Sequence, residues 1–242
     1  MTRIFAHRGY SAAFPENTAL AFREALKTGC HGIEMDVQLT RDGELVVIHD
    51  ETVDRTTDGS GRVRDLSLEE LRRLDASAGF GNALGKNPIP TLDEYLDIVE
   101  TSDVVINIEL KNGTFAYPGL AERVARAVSE RGLSRRAIFS SFNHQSLLAC
   151  KRISPDSELA FIESSWLLGA GVYCAANGAD YLNPRFAFLT YDNLAELSAH
   201  GVRAQAWTVD AAEETRRLAD LGVDSIITND PAAAMRLLTP GS

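Results

Sequence analysis

The feature that most constrains the fold is a regular alternation of short apolar runs with longer segments of helical periodicity. Nine runs have the composition of strands, at residues 4–6, 33–37, 45–48, 104–110, 137–141, 159–162, 181–183, 204–209 and 225–228. Helix start and stop signals separate most of these runs, as where Pro118 is followed by Gly132. This alternation predicts βα units and a parallel sheet.

The connection between the second and third runs is too short for a parallel crossover. Only seven residues separate Val37 from Leu45, whereas a parallel connection needs a dozen or more. The Asp42-Gly43 dipeptide is typical of a two-residue type I′ turn, which would place Asp36 opposite His49. The third run is therefore predicted to be a β-hairpin arm after strand 2.

Without that arm, eight parallel strands remain, and they predict an α/β fold, a (β/α)8 TIM barrel formed as a single domain over residues 1–242. An open doubly wound sheet would show a similar alternation and is the alternative. Residues 51–90 break the pattern, because they are rich in Asp, Arg, Gly and Thr and carry only a short helix signal. They are predicted to form a small inserted subdomain over one end of the barrel.

Two polar residues are predicted to cap helices. Asn17 is the expected cap of a helix that ends at Gly29, and Asp210 forms a capping-box pattern with Glu213. In both cases the short side chain would accept a hydrogen bond from an N–H group of the first helical turn.

The charge balance gives no general attraction to nucleic acid or to an anionic membrane. The chain has 24 Lys and Arg against 34 Asp and Glu, a net charge of −10. The first nine residues lack the apolar region of a signal peptide, and no uncharged stretch reaches the roughly 18 residues of a membrane span. With three widely spaced cysteines, these features predict a cytoplasmic protein without nucleic-acid or stable membrane association.

Acidic residues gather where the active sites of parallel barrels lie, at the carboxyl ends of strands. Glu34 and Asp36 end the second strand, and Glu109 ends the third parallel strand. Because side chains two positions apart share a face of a strand, these carboxylates are expected to converge. A hard divalent cation, Mg²⁺ or Ca²⁺, would resolve their mutual repulsion through oxygen ligands. The pattern therefore predicts a metal site.

Two histidines flank this predicted metal site. His7 follows the first strand and His49 the hairpin arm, and both can transfer protons near neutral pH. With the nearby Arg8 and Lys111, they suit a phosphorus centre, which needs charge stabilisation and a proton transfer at each of two ester oxygens. A phosphodiester is the predicted substrate class, and no Gly-rich phosphate loop supports nucleotide hydrolysis. The remaining histidines are predicted to be structural: His31, His144 and His200.

The motifs around these residues resemble those of the glycerophosphodiester phosphodiesterase family. They occur in family order as His7-Arg8-Gly9, Pro15-Glu16-Asn17-Thr18, Glu34-Met35-Asp36-Val37, His49-Asp50, Arg55-Thr56-Thr57-Asp58-Gly59, Glu109-Leu110-Lys111, Trp207-Thr208-Val209 and Ile226-Ile227-Thr228. The resemblance implies a (β/α)8 barrel with a small insertion, a divalent cation, and hydrolysis of glycerophosphodiesters to glycerol 3-phosphate and an alcohol. The family often has Asn after Trp-Thr-Val, where this chain has Asp210.

The resemblance also implies a role for each matching residue. It makes Glu34, Asp36 and Glu109 the metal ligands and makes His7 and His49 the catalytic pair, with His7 expected to be the first base and His49 the first acid. By the same likeness, the phosphate contacts are Arg8 and Lys111, and the apolar wall for the substrate is Trp207. The nucleophile is either water or the glycerol 2-hydroxyl.

Several questions stay open at the level of sequence. The alcohol is compatible with choline, ethanolamine, inositol or a second glycerol, and Phe80 with its neighbours Gly79 and Gly81 is the candidate to contact it. The alternatives are a related barrel phosphodiesterase acting on lysophospholipids or phosphoinositides, and a noncatalytic phosphodiester-binding protein. The sequence decides neither the metal, Mg²⁺ or Ca²⁺, nor the oligomeric state.

Overall fold

The computed structural model describes residues 1–77, 79–80 and 84–239. Its strands are β1 (Arg3–His7), β2 (Gly32–Leu39), β3 (Leu45–Val47), β4 (Val105–Leu110), β5 (Ala137–Ser141), β6 (Glu158–Glu163), β7 (Tyr181–Pro184), β8 (Arg203–Ala206) and β9 (Ser225–Thr228). The α-helices of the described ranges are α1 (Ala19–Lys27), α2 (Leu68–Arg72), α3 (Leu92–Val99), α4 (Leu120–Glu130), α5 (His144–Ile153), α6 (Ala170–Ala176), α7 (Tyr191–Ala199), α8 (Ala212–Asp220) and α9 (Pro231–Leu238). None of these helices has the length and apolar character that a membrane span requires.

Eight parallel strands form a closed barrel. Their hydrogen-bonded order is β1-β9-β8-β7-β6-β5-β4-β2, and pairing of β1 with β2 closes the ring. Helices lie between successive strands around the outside, which confirms the predicted (β/α)8 fold. The alternative of an open doubly wound sheet is wrong, because such a sheet would leave two unpaired edges.

The hairpin after β2 forms, but its turn is one residue longer than predicted. Val47 lies opposite Val37, and Gly43 N donates to the Thr40 carbonyl at 3.0 Å. Gly43 has a φ of +83°, whereas Asp42 does not lie in the left-handed region. Because a type I′ turn needs positive φ at both central residues, the connection is instead a three-residue loop that ends at Gly43.

The longer turn shifts the register of the hairpin by one residue. Ile48 N donates to the Asp36 carbonyl at 3.1 Å, so Ile48 lies opposite Asp36. The prediction that His49 would do so is therefore wrong. Side-chain hydrogen bonds, rather than strand pairing, hold the His49 segment beside β2. The buried side-chain amide of Gln38 donates to the carbonyls of Ile48, His49 and Asp50 at 2.7–3.1 Å.

Strand alternation sorts the interior of the barrel into layers. Toward the amino ends of the strands the interior is apolar, with Phe5, Ile138, Ala160, Tyr181 and Ile227. Gly32 makes room for this layer, since a Cβ there would lie 2.3 Å from the Phe5 ring. Above it, Asn107, Ser140, Asn183 and Gln205 form a hydrogen-bonded layer with distances of 2.6–3.0 Å. The residues predicted to form the site therefore lie above an interior fixed by packing and hydrogen bonds.

The outward-facing strand residues form the main core against the helices. Met35 on β2 is fully buried, and Phe22 of α1 meets Tyr95 of α3 edge to face with ring centroids 4.7 Å apart. Aromatic pairs of this kind add roughly 0.5–1.5 kcal/mol to the stabilisation from burial alone. This packing holds α1 and α3 beside the strands that carry the acidic residues.

Both predicted helix caps are wrong. Thr18, not Asn17, caps α1, because its hydroxyl accepts from Ala21 N at 3.2 Å. Helix α8 starts after Ala211 without a side-chain cap, although Asp210 precedes it. In each case the predicted capping side chain makes hydrogen bonds toward the barrel mouth instead, as described below.

Residues 51–90, the expected insertion, pack against the hairpin. Their apolar cluster shares two hairpin residues and comprises Val46, Ile48, Val53, Val63, Leu71, Ala76 and Ile89. A capping box between Ser67 and Glu70 starts α2. The segment reaches the barrel mouth through Arg55, which forms two hydrogen bonds of 2.8 Å with the Glu16 carboxylate.

Candidate active site

Neighbouring strand ends bring the three acidic residues together. The parallel register places His7 beside Glu34 and Asp36 beside Glu109. One carboxylate oxygen from each of Glu34, Asp36 and Glu109 lies within 4.8 Å of the other two. Side-chain alternation on β2 and β4 thus produces a compact cluster of hard oxygen donors.

Burial makes this cluster electrostatically strained. Glu34 is 4% exposed, and burial, followed by the charges of Asp36 and Glu109, raises its pKa well above the ordinary value. Burial also acts to raise the pKa of Asp36, but Arg8 and Lys111 lower it below its usual range. Among the described residues, the buried Oδ1 atom of Asp36 has no hydrogen-bond partner. Converging carboxylates with an unsatisfied buried acceptor fit a divalent cation that prefers oxygen ligands.

Asn17, which was predicted to be a helix cap, instead contacts the acidic cluster. Its Nδ2 donates to Asp36 Oδ2 at 2.8 Å, and its backbone N–H donates to the Arg8 carbonyl at 2.9 Å. Both Asn17 and Arg8 have a φ of +56°, a left-handed conformation that is uncommon outside glycine. Such backbone strain is concentrated at functional sites. In the sequence, the Pro15-Glu16-Asn17-Thr18 motif was the signal that could have identified Asn17 as a site residue.

Two partly buried cations lie beside the acidic cluster. Arg8 Nη1 bonds Glu16 at 2.7 Å, and its Nε is 3.4 Å from Asp36 Oδ2. Lys111 Nζ donates to Glu109 at 2.8 Å. The side chains of Arg8 and Lys111 are 15% and 12% exposed, so their charges are only weakly screened by solvent. Both can reach an anion bound at the cavity.

His7 enters the cavity from the end of β1. Its Nδ1 lies 2.7 Å from Asn229 Oδ1, and its Nε2 lies 3.9 Å from Glu34 Oε2. Burial and then the charge of Arg8 lower the pKa of His7 to about 4. A neutral imidazole at neutral pH can accept a proton, which is the property of a general base.

His49 enters the same cavity from the segment after β3 and has a carboxylate partner. Its Nδ1 lies 2.6 Å from Asp50 Oδ1, and Arg55 Nε donates to Asp50 Oδ2 at 2.7 Å. Arg55 also holds Glu16, which binds Arg8. A continuous chain of hydrogen bonds through Asp50, Arg55 and Glu16 therefore connects His49 to Arg8.

The Asp50 carboxylate is expected to make stability depend on pH. Its hydrogen bonds with Arg55 lower the Asp50 pKa from 3.8 to about 2. Because the folded-state pKa is depressed, this stabilisation is present above pH 4 and is lost as pH falls from about 4 to about 2. Replacing Asp50 by Asn should cost about 1 kcal/mol at pH 7, after allowance for partial solvent screening. The difference should shrink toward pH 2.

Urea unfolding of wild type and Asp50→Asn at several pH values measures this dependence. A difference in unfolding free energy that stays constant from pH 7 to pH 2 would contradict the expected linkage.

The converging side chains line a cavity of about 370 Å³. Trp207 forms one wall, because its Nε1 donates to the Asn183 carbonyl at 2.7 Å and its ring meets Phe142 edge to face. Phe142 is 44% exposed, so this wall extends to the cavity mouth. The described lining residues do not include Phe80, and Gly81 lies outside the described residues.

A larger, open groove of about 600 Å³ lies on the flank of the barrel beside α1 and α3. Its lining mixes the cations Arg23 and Lys27 with the acids Glu94 and Asp97. Neither histidine and none of the three clustered carboxylates reach it. The chemistry therefore belongs to the smaller cavity at the strand ends.

Known proteins share this architecture over nearly the whole chain. A model of the glycerophosphoryl diester phosphodiesterase family matches residues 7–233. A glycerophosphodiester phosphodiesterase from Caldanaerobacter subterraneus subsp. tengcongensis is 41% identical over 240 residues, covering 99% of each protein.

Solved structures show the same likeness. An Oleispira antarctica phosphodiesterase in complex with the product sn-glycerol-3-phosphate has a TM-score of 0.88 at 27% identity, covering 98% of this chain and 97% of that one. A glycerophosphodiester phosphodiesterase from Agrobacterium tumefaciens has a TM-score of 0.82 at 29% identity, covering 98% and 100%. The matched region includes every residue of the site described above.

Proposed function

The chain belongs to the glycerophosphoryl diester phosphodiesterase family, and on that basis we propose that it hydrolyses glycerophosphodiesters with one divalent cation and two catalytic histidines. It is a phosphoric diester hydrolase, and its products are glycerol 3-phosphate and an alcohol. We also propose that residues 1–242 act as one barrel domain, in which the insertion at about 51–90 supports His49 through Arg55 and Asp50.

One observation carries the proposal: two imidazoles, two cations and the carboxylates of Glu34 and Glu109 line a single cavity, and the fully buried Asp36 completes the three-carboxylate cluster. The carboxylates Glu34, Asp36 and Glu109 outnumber the cations Arg8 and Lys111. When all three carboxylates are ionised and no metal is bound, this arrangement disfavours a phosphodiester anion, because like charges repel in a weakly screened site. A bound divalent ion reverses the sign of the site and makes it attractive to phosphate. The charge balance therefore supports metal dependence.

When held by Glu34, Asp36 and Glu109, the cation supplies positive charge that stabilises the nonbridging phosphate oxygens. Arg8 and Lys111 donate hydrogen bonds to the same oxygens and orient the diester. Trp207 and Phe142 form the apolar wall against which the substrate carbon chain lies.

The two histidines move the protons. His7 accepts a proton at Nε2 from the attacking hydroxyl as the new phosphorus–oxygen bond forms. His49 donates a proton from Nε2 to the alcohol oxygen as its bond to phosphorus breaks. The nucleophile is water or the glycerol 2-hydroxyl. In the second case water opens the cyclic phosphate and the histidines exchange roles.

Release of glycerol 3-phosphate from glycerophosphocholine tests the proposal. Purified protein is expected to lose activity in EDTA and regain it with Mg²⁺ or Ca²⁺, and the stronger restoration identifies the preferred metal. Parallel assays with glycerophosphoethanolamine, glycerophosphoinositol and glycerophosphoglycerol identify the alcohol. The same assay with a lysophospholipid tests the alternative substrate class.

Hydrolysis of lysophospholipid without action on any water-soluble diester would replace the proposed substrate class. Metal binding without hydrolysis of either class would favour a noncatalytic phosphodiester-binding protein.

A further inference from the structure

We infer that Asp210 and Asn229 are positioning residues that hold His7 with its proton on Nδ1 and its lone pair on Nε2, facing the cavity. This inference deepens the proposed function, because it explains how His7 is held ready to act as a base. Neither residue contacts the reacting atoms in the proposed mechanism. They act through His7.

Strand register brings the three residues together. Ala6 on β1 lies opposite Thr228 on β9, so the next residues, His7 and Asn229, leave adjacent strand ends side by side. Val209 N donates to Ile227 O at 2.9 Å, which places Asp210 against the same strand end. Three distant parts of the sequence thus meet at one corner of the barrel mouth.

The Asp210 carboxylate determines which way the Asn229 amide points. It receives the Asn229 backbone N–H at 2.8 Å, the Asn229 Nδ2 amino group at 2.7 Å and the Thr228 hydroxyl at 3.0 Å. An ionised carboxylate only accepts hydrogen bonds, so the Asn229 atom facing it must be the amino nitrogen. The carbonyl oxygen of the amide is therefore turned toward His7.

This orientation selects the tautomer of His7. Asn229 Oδ1 lies 2.7 Å from His7 Nδ1 and can only accept, so Nδ1 must carry the proton. In a neutral imidazole the other nitrogen, Nε2, then has the free lone pair. The Ser11 hydroxyl donates its single proton to the His7 carbonyl at 2.7 Å, so the orientation of the Asn229 amide rests on its contacts with Asp210.

Replacing Asp210 by Asn tests the inference with little risk to folding, because Asp210 is exposed. The new amide can donate to Asn229, which allows Asn229 to turn its amino group toward His7. The His7 proton should then move to Nε2, and kcat for glycerophosphocholine should fall by at least about 10-fold, within the range of acid–base catalysis. KM should change little, since phosphate contacts remain.

The exchanged variant Asp210→Asn/Asn229→Asp is the matched rescue. An amide at position 210 donates to the carboxylate at position 229, which again accepts from His7 Nδ1. The exchange should restore kcat to within about threefold of wild type, because the proton returns to Nδ1. Asp220→Asn, an exposed change of the same charge at the far end of α8, is the control and should leave kcat unchanged.

Nitrogen-15 NMR of the His7 ring reports the tautomer directly and does not depend on activity. We expect a protonated Nδ1 in wild type and in the exchanged variant, and a protonated Nε2 in Asp210→Asn. An unchanged tautomer in Asp210→Asn would overturn the inference, even if kcat fell. Wild type without hydrolytic activity but with a protonated Nδ1 would refute the proposed function and leave the positioning role intact.

Discussion

Replacing His7 or His49 by alanine is expected to lower kcat for glycerophosphocholine by about 10²- to 10⁴-fold, the usual contribution of a positioned acid or base. Each imidazole presents one nitrogen to the cavity while a neighbouring side chain holds the other, Asn229 for His7 and Asp50 for His49. Alanine removes the proton carrier but leaves the acidic cluster in place. Binding of the cation should therefore survive both substitutions.

The control for these variants is His200→Ala. His200 is exposed at the end of α7, outside the residues that line the cavity, so its loss should leave kcat near the wild-type value. Titration calorimetry with Mg²⁺ or Ca²⁺ shows whether His7→Ala and His49→Ala still bind metal. If both variants lost less than about threefold in kcat, the acid–base assignment would be wrong.

Glu34→Gln is expected to abolish cation-dependent activity and at the same time to stabilise the cation-free protein. At neutral pH, Glu34 is a buried acid beside two other carboxylates, which is why its pKa is raised. A group whose acidic pKa rises on folding opposes folding when it is ionised. The neutral amide removes that penalty, so the unfolding free energy should increase.

Measuring both activity and unfolding free energy separates the loss of a metal ligand from damage to the fold. Glutamine keeps an oxygen that can accept from Arg8 N, the 3.0 Å contact that Glu34 makes. The matched control is Glu158→Gln at the amino end of β6, where Glu158 pairs with Arg203 away from the site. That variant should keep its activity and metal binding. A Glu34→Gln protein that binds the cation as tightly as wild type would remove Glu34 from the ligand set.

The opposite result on stability would be equally informative. If Glu34→Gln unfolded more easily than wild type in EDTA, the carboxylate would be a stabilising partner of Arg8 rather than a repelled member of the cluster. The site would then be built for ion pairing, and the charge argument for a metal would fail.

The sequence determined the fold class and the chemistry of the strand ends. Alternating apolar runs and helix signals are local properties of the chain, and they indicated the parallel barrel that the structure contains. The spacing of Glu34 and Asp36 on one strand is also local, because alternate side chains share a face. Their convergence with Glu109 followed once the strands were adjacent.

Local patterns gave wrong predictions for the hairpin turn and for both helix caps, because the competing interactions were not visible in the sequence. Asp42-Gly43 suggested a two-residue turn, yet only Gly43 adopts positive φ, and the hairpin register moves by one residue. Asn17 had the chemistry of a helix cap, but the adjacent Thr18 caps α1 while Asn17 binds Asp36. Asn17 and Thr18 both have side chains that can cap a helix, and the tertiary structure decided which of them does so.

Only the tertiary structure decided which residues support the histidines. His7 meets Asn229 across 222 positions of sequence, and Asp210 reaches Asn229 from the segment between β8 and α8. A hydrogen bond depends on atomic distance and direction, which the register of β1, β8 and β9 sets and local sequence does not. Residue types at strand ends therefore predicted what chemistry the site contains, whereas closure of the barrel determined which groups hold it in place.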